Sequence, residues 1–148
     1  MTQNEAIEKM KKYCAYQERC QSEVRQKLYG FGLNNDEIEN ALCSLIEQNF
    51  INEERFAKTF ARGKFRQKKW GKVKIKQHLK QKQISDYCIK TALEEIDTED
   101  YLATLDLVLS KKEELLNEEN NFIKKQKIAK HAINKGFEND LVWNYLNG

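Results

Sequence analysis

The stretch Val24-Arg25-Gln26-Lys27-Leu28-Tyr29-Gly30-Phe31-Gly32-Leu33-Asn34-Asn35-Asp36-Glu37-Ile38-Glu39-Asn40-Ala41-Leu42 decides the fold, because its apolar pattern is written three times. Moving Leu28, Leu33, Ile38, Ala41 and Leu42 on by 51 residues gives Leu79, Ile84, Ile89, Ala92 and Leu93. Moving them by 104 gives Ala132, Phe137, Val142, Tyr145 and Leu146. Val24, Ile75 and Ile128 fall on one further shared position, and Lys27, His78 and His131 on another. The two histidines therefore read as surface residues of equivalent helices and not as ligands. An internal repeat of this period is the signature of a stacked helical array, in which no unit buries its apolar face alone.

Each unit reads as three helices. Ile7, Met10, Cys14 and Ala15 recur at helical spacing and define the first helix of the chain. Gly30 and Gly32 suit the left-handed end of the second. Asn34 with Glu37 has the form of a capping box for the third, whose stripe is Ile38, Ala41, Leu42, Leu45 and Ile46. In the second unit Asn52 is the N-cap, with Phe56, Ala57, Phe60 and Ala61 facing inward. Its middle helix begins around Trp70-Gly71 and its last at Ser85. The third unit begins at Thr98 and packs Tyr101, Leu102, Leu105, Leu109 and Leu116. A polar break at Asn117–Asn121 precedes its middle helix, which Gly136 ends. The expectation is an all-α fold of three tandem three-helix, helix-turn-helix-like repeats, 1–50, 51–96 and 97–148, stacked into an elongated curved body. The tight second turn is one way to bind DNA, and more commonly just an economical way to fold a small helical repeat.

Composition agrees with this. Charged residues make up 33% of the chain, apolar residues 40%, and proline is absent, so no ring interrupts a helix. The apolar-looking run from Tyr101 to Leu109 is broken by Thr104 and Asp106 and is too short for a bilayer. The N-terminus has no charged-then-apolar leader, and Cys14, Cys20, Cys43 and Cys88 form no CxxC pair. These features point to a cytoplasmic protein with four reduced, half-buried thiols and no metal site. No phosphate loop, HExxH or nucleophile beside a histidine is present, so neither catalysis nor a cofactor is expected.

Charge locates the candidate site. From Arg55 to Ile84 there are 12 lysines and arginines and no acidic residue, whereas the whole chain is only +3. The second unit is thus a basic block between two acidic ones. Arg55, Lys58, Arg62, Arg66 and Lys69 step along one helical stripe, and Lys72, Lys76 and Lys80 along a second. Like charges at this spacing cost about 0.2–0.5 kcal/mol per pair, which argues for a function. The third unit instead interleaves signs through Lys111, Lys112, Glu113, Glu114, Glu118 and Glu119. Arg62 and Arg66 can each grip a phosphate or carboxylate through two N–H groups. Trp70 can stack on a base or, the commoner use, close a seam between helices. The partner-binding candidates are Arg55, Arg62, Arg66, Lys69, Trp70, Lys72 and Lys76.

At these residues the chain resembles the RecX family of small bacterial regulators of the RecA recombinase. The family's Gly-Leu-Leu-Asp-Asp-x-Arg-Phe-Ala segment is matched by Asn49-Phe50-Ile51-Asn52-Glu53-Glu54-Arg55-Phe56-Ala57. The following Lys-Gly-x-Gly and Leu-ended helix are matched by Lys69-Trp70-Gly71, Ile75 and Leu79, and an earlier pattern by Ser22-Glu23-Val24 with Lys27-Leu28. The family's glycine is Asn49 here, and its two aspartates are Asn52 and Glu53, which keep the chemistry of a helix cap. A monomer is expected, and the resemblance implies that it lies in the groove of the RecA–DNA filament. There it would inhibit recombinase, ATPase and co-protease activity, and so act in the SOS response, DNA repair and recombination. Single- or double-stranded DNA within or beside the filament is an implied partner. The alternative is a stand-alone helical nucleic-acid-binding module that uses the same basic face.

Overall fold

The computed structural model describes residues Met1–Gly148 as nine α-helices with no strand. They are α1 (Gln3–Tyr16), α2 (Gln21–Tyr29), α3 (Asn35–Glu47), α4 (Glu53–Lys68), α5 (Lys72–Gln81), α6 (Asp86–Glu94), α7 (Thr98–Leu115), α8 (Asn121–Asn134) and α9 (Asn139–Asn147). The fold is all-α and repeats a three-helix unit. Its surface of 9371 Å² exceeds the roughly 7,900 Å² of a compact globule of 17.5 kDa, so the body is elongated.

The helix starts follow from side-chain caps. Asn34 accepts from Glu37 N at 2.9 Å while Glu37 accepts from Asn34 N at 3.0 Å, a complete capping box. Asn52 accepts from Arg55 N, Ser85 from Cys88 N, Asp97 from Asp100 N, and Asn120 from Phe122 and Ile123 N. Each such cap contributes about 1 kcal/mol. Asn49 stands at φ 64°, a left-handed conformation that asparagine tolerates and glycine favours. That accounts for the asparagine at the position where the RecX pattern has glycine.

Several expectations need correction. Ala15 is exposed; Ala6, one turn before Met10, completes the α1 stripe with Ile7, Met10 and Cys14. Gly32, at φ 76°, takes the left-handed turn after α2, while Gly30 remains right-handed. Of the fifteen repeat positions Tyr145 is exposed, on the outer side of α9. Ile46 is likewise exposed, and Phe60 is only half-buried. The thiols are not uniformly half-buried: Cys14, Cys20 and Cys88 are buried and Cys43 is exposed. Burial pushes the Cys14 thiol up to about 11, so it stays protonated and inert.

The repeats do not share one uniform core. One cluster, including Ile7, Met10, Val24, Leu28, Ile38 and Leu45, lies within α1–α3 and takes in Ile51. A larger one joins α4–α6 to α7–α9 and takes in Cys20. Packing also differs: α1 lies mainly on α3 and α4 on α6, but α7 leans on α8.

The seam between the second and third units explains the joint core. Tyr101, 3% exposed, sits between Phe65 and Phe137 with ring centroids 5.8 and 5.2 Å away. Its hydroxyl accepts from Lys72 N at 2.9 Å and donates to Glu138. Gly71 N donates to Lys135 O at 2.8 Å and Val73 N to Gly136 O at 2.9 Å. The free N–H groups that open α5 are thus satisfied by the free carbonyls that follow α8, so the end of α8 abuts the start of α5. A smaller version joins α5 to α2, where Ser22 Oγ donates to Lys82 O at 2.9 Å. The middle helices α8, α5 and α2 therefore run head to tail through the body.

Candidate polyanion-binding surface

The twelve cations between Arg55 and Ile84, one block in sequence, are distributed over three surfaces. The first is partly neutralised from elsewhere in the chain. Arg55 Nε lies 2.8 Å from both carboxylate oxygens of Glu18, and its Nη2 donates to Asn49 O at 3.0 Å. It is a strap between the first and second units. Lys58 pairs with Glu54 at 2.9 Å and approaches Glu95 at 3.9 Å. Arg62 and Arg66 are exposed and form no ion pair, yet they share a small cleft with Glu95, Asp97 and Asp100, floored by Phe65 and Ile96. Those acids come from the α6–α7 junction, beyond the acid-free stretch, which is why charge counting along the chain did not find them.

The second surface is a shallow groove between α5 and α6. Lys72, Lys76 and Lys80 line it with Lys90, over Ile89 and Leu93, and Asp86 and Glu94 close its other side. Lys72 Nζ also lies 4.9 Å from the centre of the Tyr101 ring.

The third surface is the most strongly cationic. Lys69 closes α4 in the left-handed conformation, φ 55°, and Trp70 N then donates to Lys64 O at 3.2 Å. This turn lays the Trp70 ring across the α4–α5 seam, 6.4 Å from Phe60 and 4.5 Å from His78 between centroids. Lys64 Nζ sits 5.1 Å and Lys74 Nζ 4.7 Å from the Trp70 ring centre, while Lys82 Nζ lies 5.9 Å from that of Phe60. The ring faces hold ammonium groups together that would otherwise repel. Lys135, from the third unit, reaches in to donate to Lys68 O at 3.0 Å.

The local potential is visible in the titrating groups. Burial, then Lys74, Lys64 and Lys82, hold His78 below the ordinary imidazole value. Burial, then Lys69 and Lys74, lower Lys135 below the usual lysine value. Lys64, Lys68, Lys69, Lys74 and Lys135 have no carboxylate within 4.0 Å; Lys82 has Glu23 at 3.4 Å. A concentration of cations without counter-charges is suited to a polyanion.

The structure therefore sets Trp70 against His78, places Lys69 near Lys135 and in a shallow pocket with Arg66 and Asp100, puts Lys72 and Lys76 in a separate groove, places Arg62 and Arg66 by an acidic wall, and binds Arg55 to Glu18. The sequence reading did not single out Lys64, Lys74, His78, Lys82 and Lys135. The four-residue steps from Lys74 to His78 to Lys82 were the available signal; Lys135 gave none, since it arrives from another unit. No cluster of three His, Cys, Asp or Glu side chains could hold a metal ion, and no helix is long and apolar enough to cross a membrane.

An all-α chain of repeated three-helix units with a cationic surface belongs to the helical-repeat class of folds. Residues 52–93 match the family model described as RecX, second three-helix domain. The chain is 32% identical over 132 residues to the regulatory protein RecX of Streptococcus uberis, covering 88% of this chain and 50% of that protein. It is 28% identical to that of Prosthecochloris aestuarii, covering 88% and 83%. A crystal structure of regulatory protein RecX superposes with a TM-score of 0.86 at 25% identity, over 94% of this chain and 68% of that one. One of RecX from Lactobacillus salivarius has the same fold, with a TM-score of 0.88 over 98% of this chain and 94% of that one. Residues 52–93 thus match the RecX second three-helix domain, and the likeness to RecX proteins extends over most of the chain. It spans about half the length of several curated relatives that it matches.

Proposed function

We propose that this protein regulates the RecA recombinase by binding the RecA–DNA filament, and that it acts without catalysis, as an inhibitor of strand exchange, ATP hydrolysis and co-protease activity in the cytoplasm. The observation that carries the reading is the likeness to proteins named regulatory protein RecX over most of the chain. The cationic second unit fits it, because a nucleoprotein filament presents both phosphate and protein carboxylates. Lys69 and Trp70 on the third surface, Lys72 and Lys76 in the groove, and Arg62 and Arg66 beside the acidic cleft are the proposed contacts. Arg55 serves by fixing the angle between the first two units.

The deciding measurement is the single-stranded-DNA-dependent ATPase of RecA with and without this protein. Inhibition well below one copy per RecA monomer is expected; an unchanged rate and filament length at equimolar protein would sink the proposal. The second reading, a stand-alone nucleic-acid binder, draws on the unpaired cations around Trp70. It requires tight binding of naked DNA at low salt, lost steeply as salt rises, and no effect on RecA beyond competition for DNA.

A further inference from the structure

The positive charge of this chain is a property of its middle helices more than of its middle unit. α8 carries Lys124, Lys125, Lys127 and Lys130 and no acidic residue; α5 carries Lys72, Lys74, Lys76 and Lys80 and no acidic residue. The third helices have the opposite tendency: α3 has four carboxylates and no cation. The interleaved signs of the third unit lie on α7 and on the turn before α8, and they conceal this pattern in the sequence.

Register turns the two helices into one line. On α8, Lys124, Lys127, His131 and Lys135 step by three, four and four residues, so they share a flank beside the buried Ile128 and Ala132. On α5, Lys74, His78 and Lys82 occupy the same positions relative to the buried Ile75 and Leu79. The junction between the helices is tight: a Cβ on Gly136 would lie 2.3 Å from Lys74 Cβ, and Lys135 donates to Lys68 O beside it. Lys135 thus ends one stripe where Lys74 begins the next. Lys64, Lys68 and Lys69 of α4 and its cap thicken the line at the join, and Lys112 of α7 faces His131. Only two carboxylates touch the line, Glu118 on Lys127 at 3.2 Å and Glu23 on Lys82 at 3.4 Å.

We infer that α8 and α5 form a continuous cationic rail that binds the phosphodiester backbone of a single nucleic-acid strand without reading its sequence. The inference deepens the proposed function by assigning the DNA of the filament to one surface, and it moves half of that surface onto a unit that the charge distribution in sequence had left out. A backbone and not a base is the ligand because the Trp70 ring is already engaged by His78, Phe60 and two ammonium groups. At 1.5 Å per residue the helices, 14 and 10 residues long, make a rail of at most about 36 Å along their axes, or up to about ten phosphates of a stacked strand spaced 3.4 Å apart.

The test is fluorescence anisotropy of the full chain with labelled oligo-dT, without RecA, so its outcome is independent of the ATPase result. Affinity should rise with length up to about ten nucleotides; a plateau at about four to six nucleotides, one helix's worth, would overturn the continuous rail. In the plot of log affinity against log salt, each cation lost from the rail should reduce the slope by about 0.7. The pair Lys124→Ala and Lys127→Ala, on α8, should therefore reduce it by about 1.4, and Lys74→Ala by about 0.7, whereas Lys12→Ala on α1 should leave it alone. Circular dichroism verifies that the helices persist, and alanine is the better helix former in any case. An unchanged slope in the α8 pair refutes the rail.

Discussion

Replacing Gly71 by alanine should split the second and third units. A Cβ there would lie 2.3 Å from Gly136 C, Gly136 O and Phe137 N, all backbone atoms that cannot swing aside. Relief requires the α8–α9 turn to withdraw from α5. That movement removes the hydrogen bonds from Gly71 N to Lys135 O and from Val73 N to Gly136 O, and strains that from Lys72 N to the Tyr101 hydroxyl. At about 1 kcal/mol each these contribute roughly 3 kcal/mol. Partial uncovering of Phe137, 1% exposed, brings the expected loss to about 3–5 kcal/mol, a large share of the 5–15 kcal/mol typical of a domain. Urea unfolding followed by tryptophan fluorescence suits the measurement, because Trp70 and Trp143 both pack against the core that the seam unites. Gly32→Ala is the control: its φ of 76° makes alanine unfavourable, but its Cβ meets nothing within 4 Å, so the cost is limited to about 1–2 kcal/mol of backbone strain. If Gly71→Ala proves no more damaging than Gly32→Ala, the close approach of α5 and the α8–α9 turn is wrong, and with it the alignment of the two helices.

Three further outcomes follow from the same geometry. Tyr101→Phe keeps the ring packing but leaves Lys72 N without its acceptor and Glu138 without its donor, so stability should drop by about 1–3 kcal/mol in urea titrations with little change in helix content. Gln83 stands at φ 64°, at the position equivalent to Gly136, and Gln83→Gly should raise the midpoint of thermal unfolding by a few degrees, about 1 kcal/mol. Burial and surrounding lysines lower the folded-state pKa of both His78 and His131. Below the ordinary imidazole value of 6.5 the unfolded chain therefore takes up more protons than the folded one, so stability should be full above that pH and decline as pH falls through the folded values. Removing both imidazoles, as His78→Gln with His131→Gln, should flatten the stability profile below about pH 6.5.

Much of this protein was legible in its sequence because its physics is local. Helical periodicity and the offsets of 51 and 104 gave the three units, and Asn34, Asn52 and Ser85 gave helix starts, since a cap is satisfied within three residues of itself. The RecX resemblance rested on motifs between Ser22 and Leu79, and the family model matches 52–93. What could not be read was whatever depends on residues far apart in the chain. Arg55 counted as a free cation until Glu18 was found beside it, and Arg62 and Arg66 as an open stripe until Glu95, Asp97 and Asp100 turned up across the cleft. Nothing in the sequence marked Gly71 and Gly136 as partners, or Tyr101 as the residue joining two units. The twelve cations between Arg55 and Ile84 were determined by sequence alone. Which of them act together, and that α8 extends their line, was decided only by tertiary structure, because electric potential depends on distance through space and the end-to-end meeting of α8 with α5 sets those distances.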